Sequence, residues 1–222
     1  MNRLLAISDI HGCYETFREL VINRLNLQKS DRLFLLGDYI DRGEKSREVI
    51  DFILDLISKG YDITPLAGNH EWMLTETMKN LEMQPLWYMN SGIATIKSFN
   101  INEISEIEKR YSDFFLGLRY YETVGKFIFV HAGFNDNSED PFSDIHSMIW
   151  EPRQEYGHPL LSNKIIIHGH RPKTTEHVKR LINSGSTVIP IDTGCVYDKE
   201  LGYGFLSALE VNSMTLISAE RI

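Results

Sequence analysis

The segment Gly37-Asp38-Tyr39-Ile40-Asp41-Arg42-Gly43 constrains this chain most, because it follows directly on the apolar run Leu33 to Leu36. Such a run reads as a buried strand, and the two flanking glycines let the backbone turn sharply at its end. A carboxylate placed there stands at a strand's carboxyl end, where open α/β sheets hold their ligands. Asp38, Asp41 and Arg42 together offer a bridge between metal ions, a second carboxylate to orient a neighbour, and a planar cation suited to phosphate. Alone, the segment is equally a polar loop between a strand and a helix, and its meaning depends on what else the chain brings to strand ends.

The same arrangement recurs along the chain. Leu4 to Ile7 is an apolar run ending in Ser8-Asp9-Ile10-His11-Gly12. Alternation in an extended segment would point Asp9 and His11 the same way, and a carboxylate beside an imidazole suits Mn, Fe or Zn. Ile63 to Leu66 runs into Gly68-Asn69-His70-Glu71, where Asn69 offers a neutral carbonyl oxygen and His70 a titratable imidazole. Glu71 is expected to act only as a first-turn acid favoured by the helix dipole. Phe127 to Val130 delivers His131-Ala132-Gly133, and Ile165 to Ile167 delivers His168-Gly169-His170. His168 continues its strand and is read as packed there, whereas His170 lies beyond Gly169 and is read as a ligand. Val188 to Ile191 leads to Asp192-Thr193-Gly194, with Asp192 as a turn former.

Between these runs, Tyr14 to Leu25 and Val49 to Ile57 carry apolar residues at helical spacing, the second closed by Gly60. Strands alternating with helices give an α/β class. Phe205 to Val211 and Met214 to Ser218 form an expected closing hairpin around Asn212-Ser213. Helices are predicted at Ser91 to Phe99 and Glu103 to Leu118, within an aromatic-rich stretch from Trp87 to Tyr121. The helical spacing of Tyr111, Phe114, Phe115 and Leu118 favours core packing over an aromatic substrate wall.

At 222 residues with no Pro-, Ser- or Gly-rich linker, the chain is read as one domain, residues 1–222, with a helical aromatic-rich insertion at about 84–121. Lys plus Arg is 23 against 31 Asp plus Glu, a formal charge of −8 that argues against a broad nucleic-acid surface. Cys13 and Cys195 stand in no metal or redox spacing and are expected to pack as small hydrophobes in a reducing compartment. No signal-like start and no membrane-length apolar run is present, so a soluble cytoplasmic protein without membrane partners is expected.

Five strand ends thus present Asp9, His11, Asp38, Asn69, His131 and His170, enough oxygen and nitrogen for two divalent ions sharing a carboxylate. The ordered series Ser8 to Gly12, Gly37 to Gly43, Gly68 to Glu71, His131-Ala132-Gly133 and Gly169-His170-Arg171-Pro172 resembles the calcineurin-like metallophosphoesterases. More narrowly it is similar to their bacterial and phage serine/threonine phosphoprotein phosphatase branch. The resemblance runs from about Ala6 to Leu209. It implies an α/β fold of central sheets, a β-sandwich flanked by helices, with the active site at the carboxyl ends of strands.

The resemblance further implies that Asp9, His11 and Asp38 hold one metal, and Asp38, Asn69, His131 and His170 the other. The ions would be Mn²⁺, with Fe or Zn as alternatives, and a hydroxide between them would attack phosphorus. Arg42 would clamp phosphate together with Asn69 and His70, and His70, oriented by Asp41, would protonate the departing alkoxide. Related phosphodiesterases carry Gly-His-x-His, but residue 172 here is Pro, which favours the phosphatase branch. The family's second phosphate-binding arginine follows a tryptophan; in Trp150-Glu151-Pro152-Arg153 the spacing is about one residue longer, so Arg153 is either that residue or a surface arginine. The expected function is metal-dependent hydrolysis of phosphoserine or phosphothreonine in a protein or peptide, placed ahead of symmetrical diadenosine tetraphosphate hydrolysis because no segment identifies an adenine pocket. A catalytically silent scaffold on the same fold is the alternative of another class.

Overall fold

The computed structural model describes residues 2–199 and 202–222. Two sheets form its centre. In the first, β1 (Leu4–Ile7), β2 (Arg32–Leu35) and β3 (Asp62–Pro65) run parallel, and the antiparallel pair β8 (Phe205–Glu210) and β9 (Thr215–Glu220) completes the order β3-β2-β1-β8-β9. The second has the order β4-β5-β6-β7, built from β4 (Tyr121–Val124), β5 (Phe127–Val130), β6 (Ile165–His168) and β7 (Val188–Pro190). Only β4 is antiparallel to its neighbour there.

Strand alternation explains the layering. Ala6, Phe34 and Leu36 turn toward Phe129, Ile167 and Ile189 of the other sheet, while Leu5, Ile7, Leu33 and Leu35 turn outward under helices. Phe34 and Phe129 stack across the sandwich, with ring centroids 3.8 Å apart. The outer face of the first sheet is covered by α1 (Tyr14–Glu19), whose last turn widens into a π-type turn at Leu20–Arg24, by α2 (Ser46–Ser58), and by α3 (Asn69–Lys79) with the helices after it. Ile128, Val130 and Ile166 on the outer face of the second sheet pack on Phe134, Leu161 and the helix α7 (Ile145–Trp150).

The aromatic stretch departs from expectation in detail. It contains an additional helix, α4 (Gln84–Met89), before α5 (Gly92–Phe99). The helix expected over Glu103 to Leu118 is a short 3₁₀ turn at Ile104–Glu106 followed by α6 (Lys109–Leu116). The break falls where Ile107 adopts an extended conformation between them. β4 begins at Tyr121, at the end of this stretch. Neither α7 nor α8 (Thr175–Asn183) was marked by long periodic runs in the sequence. The hairpin falls as expected, with Asn212 and Ser213 in its turn. Cys195 lies in the core and Cys13 packs against it. No helix among the described residues is long and apolar enough to cross a membrane.

Candidate active site

The carboxyl ends of β1, β2, β5 and β6 and the start of α3 converge on one polar cluster. Asp9 and His11 do not reach it by continuing an extended strand, as alternation suggests. The chain instead turns through left-handed backbone, with φ of 38° at Asp9, 45° at His11, 55° at Asp38, 67° at Asp41, 66° at Arg42 and 70° at His170. Ten non-glycine residues among those described have positive φ, and six of them are these. Such conformations are costly and persist only where the surroundings over-determine them.

Glu71 supplies much of that constraint. Beyond the dipole role expected of it, its carboxylate accepts the backbone N–H groups of Asp38 (2.8 Å), Tyr39 (2.8 Å) and Gly68 (2.9 Å), so one buried side chain ties the β2 loop to the start of α3. Gly68 is obligatory for a related reason: a Cβ there would stand 2.1 Å from Asp38 Oδ1.

Asp38 lies at the centre. His11 Nε2 is 3.4 Å from Asp38 Oδ2, and His131 Nε2 is 3.5 Å from Asp38 Oδ1. Asn69 Oδ1 stands 3.0 Å from His131 Nε2 and 3.1 Å from His170 Nδ1, and those two nitrogens are 3.1 Å apart. Asp9 joins through its oxygens, which accept the backbone N–H of His170 (3.0 Å) and the Ser8 hydroxyl. Two groups able to hold an ion share Asp38: His11 with Asp38 and His70, and Asp38 with His131 and His170.

The donor set fits divalent cations. His11 Nδ1–H donates to the Ile40 carbonyl and His131 Nδ1–H to the Leu36 carbonyl, both at 2.8 Å, which leaves both Nε2 atoms as bare lone pairs. Among the described residues His11 Nε2 is buried without a hydrogen-bond partner, and the His131 Nε2 lone pair faces Asn69 Oδ1 at 3.0 Å. Burial pushes the Asp38 carboxyl well above its usual range, helped by the nearby Asp9 and Glu71 charges, and holds the His11 and His131 imidazoles down. Burial also takes His170 down to about 2. A site that keeps its imidazoles neutral and crowds its carboxylates is balanced by bound positive charge.

Beside the cluster, His70 Nδ1 donates to Asp41 Oδ2 at 2.7 Å, and both side chains are buried. Asp41 also accepts from Trp87 Nε1 (2.9 Å) and from the Thr95 hydroxyl (2.5 Å). Burial raises Asp41 to about 7 despite those donors, and burial with the nearby Arg42 lowers His70 well below the ordinary value. His70 Nε2 is thereby turned toward the cluster, 3.9 Å from Asp38 Oδ2. Arg42 is exposed; one of its nitrogens lies 3.4 Å from His70 Nε2, another donates to the Tyr197 hydroxyl at 2.7 Å, and the guanidinium lies 5.6 Å from the Tyr197 ring centre.

Asp9, His11, Asp38, Asp41, Arg42, Asn69, His70, His131 and His170 are therefore brought together. Arg153 is not among the groups contacting them; it lines a neighbouring cleft beyond Trp150, whose ring meets the His170 ring edge-on at 6.0 Å. His168 is packed, as expected, and Asp192 accepts the Gly194 N–H at 2.8 Å as a turn former does. The roles of Glu71, Trp87, Thr95 and Tyr197 were not visible in the sequence. Only Trp87 carried a signal, as a tryptophan in a stretch otherwise read as packing.

The sequence pattern of the calcineurin-like phosphoesterase family matches residues 2–193. The chain is 26% identical over 225 residues to an asymmetrical bis(5'-nucleosyl)-tetraphosphatase of Bacillus velezensis, covering 90% of this chain and 87% of that one. It is 26% identical over 179 residues to serine/threonine-protein phosphatase 2 of Salmonella typhimurium, covering 76% and 79%. A solved serine/threonine phosphatase from Saccharomyces cerevisiae superposes with a TM-score of 0.65 at 14% identity, over 100% of this chain and 80% of that one. With the site's geometry and a match over most of its length, this chain belongs to the calcineurin-like phosphoesterases, a family of hydrolases that depend on paired metal ions.

Proposed function

We propose that the chain hydrolyses a phosphoanhydride bond of a dinucleoside polyphosphate, with phosphoserine or phosphothreonine esters as the second reading. The observation that carries the first is the cleft of about 810 Å³ beyond Trp150, a size suited to a nucleotide and a feature the sequence alone did not disclose. The tetraphosphatase from Bacillus velezensis, similar over nearly the whole chain, supports it. The second reading is favoured by the buried His70–Asp41 pair, since a serine alkoxide needs a proton far more than a polyphosphate does.

Asp9, His11 and Asp38 would hold one divalent ion, Mn²⁺ in the first instance, and Asp38, Asn69, His131 and His170 the other. Bound there, such ions supply positive charge for phosphate oxygens and lower the pKa of water. The chain's own groups do the rest. Arg42, braced by Tyr197, offers two parallel N–H donors to phosphate oxygens. Asp41 fixes the His70 ring so that Nε2 faces the reacting group. A phosphate dianion arriving beside Nε2 favours the imidazolium, and the proton then passes from Nε2 to the leaving oxygen.

Turnover of diadenosine tetraphosphate beside a phosphoserine peptide tests the choice. Cleavage of the dinucleotide, to two ADP or to AMP and ATP, with weaker peptide turnover supports the first reading. Efficient peptide hydrolysis with the dinucleotide untouched replaces it with the second. Failure on both, with metals bound, points to the scaffold.

A further inference from the structure

We infer that the cleft beyond Trp150 is a subsite for the nucleoside and distal phosphates of the substrate, the part that does not react. This rests on the dinucleotide reading above and deepens it by naming the residues. Three cationic side chains, Arg153, Arg171 and Lys173, line the cleft. Arg171 directly follows His170, so this charge begins at the edge of the metal cluster and continues away from it.

Among the described residues none of these cations makes a side-chain hydrogen bond or ion pair, although the Arg153 charge is felt at Asp136 and the Lys173 charge at Asp192. Arg153 Nε is buried with no hydrogen-bond partner. Glu151 and Glu155 also line the cleft; Glu151 is engaged elsewhere, 3.5 Å from His146 Nδ1 and accepting from the Ser147 hydroxyl, which leaves Glu155 as one opposing carboxylate against three cations. In a chain of net charge −8, three cations gathered in one concavity, without an ion-pair partner among the described residues, select for an anion. Two further surfaces fit the rest of a nucleotide. Trp150 provides an aromatic edge at the end nearest His170, and Leu181, Val188 and Pro190 provide an apolar floor on which a base can lie. Phosphates on the cationic rim and a base on the floor use both kinds of lining. A lone inorganic phosphate uses only one.

Binding is measured by titration calorimetry on chelated, metal-free protein, so that the signal comes from these side chains rather than from ions. ADP is expected to bind saturably and more tightly than pyrophosphate. The Arg171→Gln/Lys173→Gln pair, at one exposed and one half-buried position, is expected to weaken ADP binding at least about tenfold. In the metal-loaded enzyme the same pair should shift the ratio of catalytic efficiencies, diadenosine tetraphosphate over p-nitrophenyl phosphate, by a similar factor against the dinucleotide. Trp150→Ala is a second probe and should weaken ADP more than pyrophosphate.

Absence of saturable ADP binding by the parent protein overturns the inference, as does equal binding by parent and double variant with unchanged melting temperatures. Saturable binding of an acid-rich peptide that ADP does not displace also overturns it, and assigns the cleft to a peptide. ADP binding that depends on Arg171 and Lys173, in an enzyme that leaves the dinucleotide intact, sustains the subsite and removes only the proposed reaction.

Discussion

At the scale of single residues, His70 and Arg42 carry the sharpest expectations. If Nε2 of His70 gives up the proton, its loss matters most where the leaving oxygen is a poor one. His70→Asn should then slow a phosphoserine peptide about 10² to 10⁴-fold and p-nitrophenyl phosphate clearly less, and Asp41→Asn should show the same asymmetry more weakly. Equal losses on both esters, or loss of bound metal in His70→Asn, would instead make His70 a ligand beside His11 and Asp38, a grouping the geometry also permits. Arg42→Lys keeps the charge and loses the planar fork, so inhibition by free phosphate should weaken. Phosphate inhibition unchanged in Arg42→Ala would take Arg42 out of the site. The identities of these residues were legible in the sequence because each lies in a short polar segment that follows an apolar run. Their backbone was not, since the left-handed turn at Asp38 is tied by Glu71, and Asp9 meets the backbone N–H of His170, both partners distant in the chain.

At the scale of elements, the insertion is part of the site rather than a separate layer of packing. Trp87 of α4 and Thr95 of α5 both donate to Asp41, so two helices that bear no catalytic group hold the orienting carboxylate. Trp87→Phe removes the N–H while keeping most of the ring. It should cost about 1–2 kcal/mol in denaturant unfolding, by the loss of a hydrogen bond to a buried carboxyl. It should also reproduce the Asp41→Asn asymmetry between esters in diminished form; stability loss with equal effects on both substrates would restrict Trp87 to packing. The sequence disclosed the apolar faces of these helices through their periodicity. A donor N–H pointed at a residue 46 positions away leaves no periodic trace. The short helices α7 and α8 were missed for a different reason, since six and nine residues give a periodic pattern too few turns to repeat.

At the scale of the whole molecule, chemistry sits at one end of the strands and an ion pair ties the other. Chelation should abolish turnover and Mn²⁺ should restore it; full activity of a verified metal-free preparation would end the dinuclear reading. At the opposite end, Arg3 donates through Nε to Asp31 Oδ1 (3.0 Å) and through Nη2 to Oδ2 (2.5 Å). Burial alone would raise the Asp31 carboxyl, but the bonds from Arg3 and the Gln28 N–H prevail and hold it below its ordinary value. A carboxyl lowered on folding stabilises the native state above its unfolded pKa, and that contribution is lost as pH falls through the lowered one. Asp31→Asn should therefore cost about 1–2 kcal/mol at neutral pH, discounted for the partly exposed arginine, and the difference from the parent should shrink in acid below about pH 4. Turnover per folded molecule should be unchanged, as the site lies at the far ends of β1 and β2.

The left-handed turns of the site loops have a consequence for how this protein can change. A glycine at residue 42, where φ is 66°, relieves a conformation that an arginine side chain disfavours, so Arg42→Gly is expected to raise the melting temperature while removing the phosphate clamp. Activity and robustness thus pull in opposite directions at the same backbone positions, and stabilising substitutions gathered without a test of turnover would drift toward an inert fold.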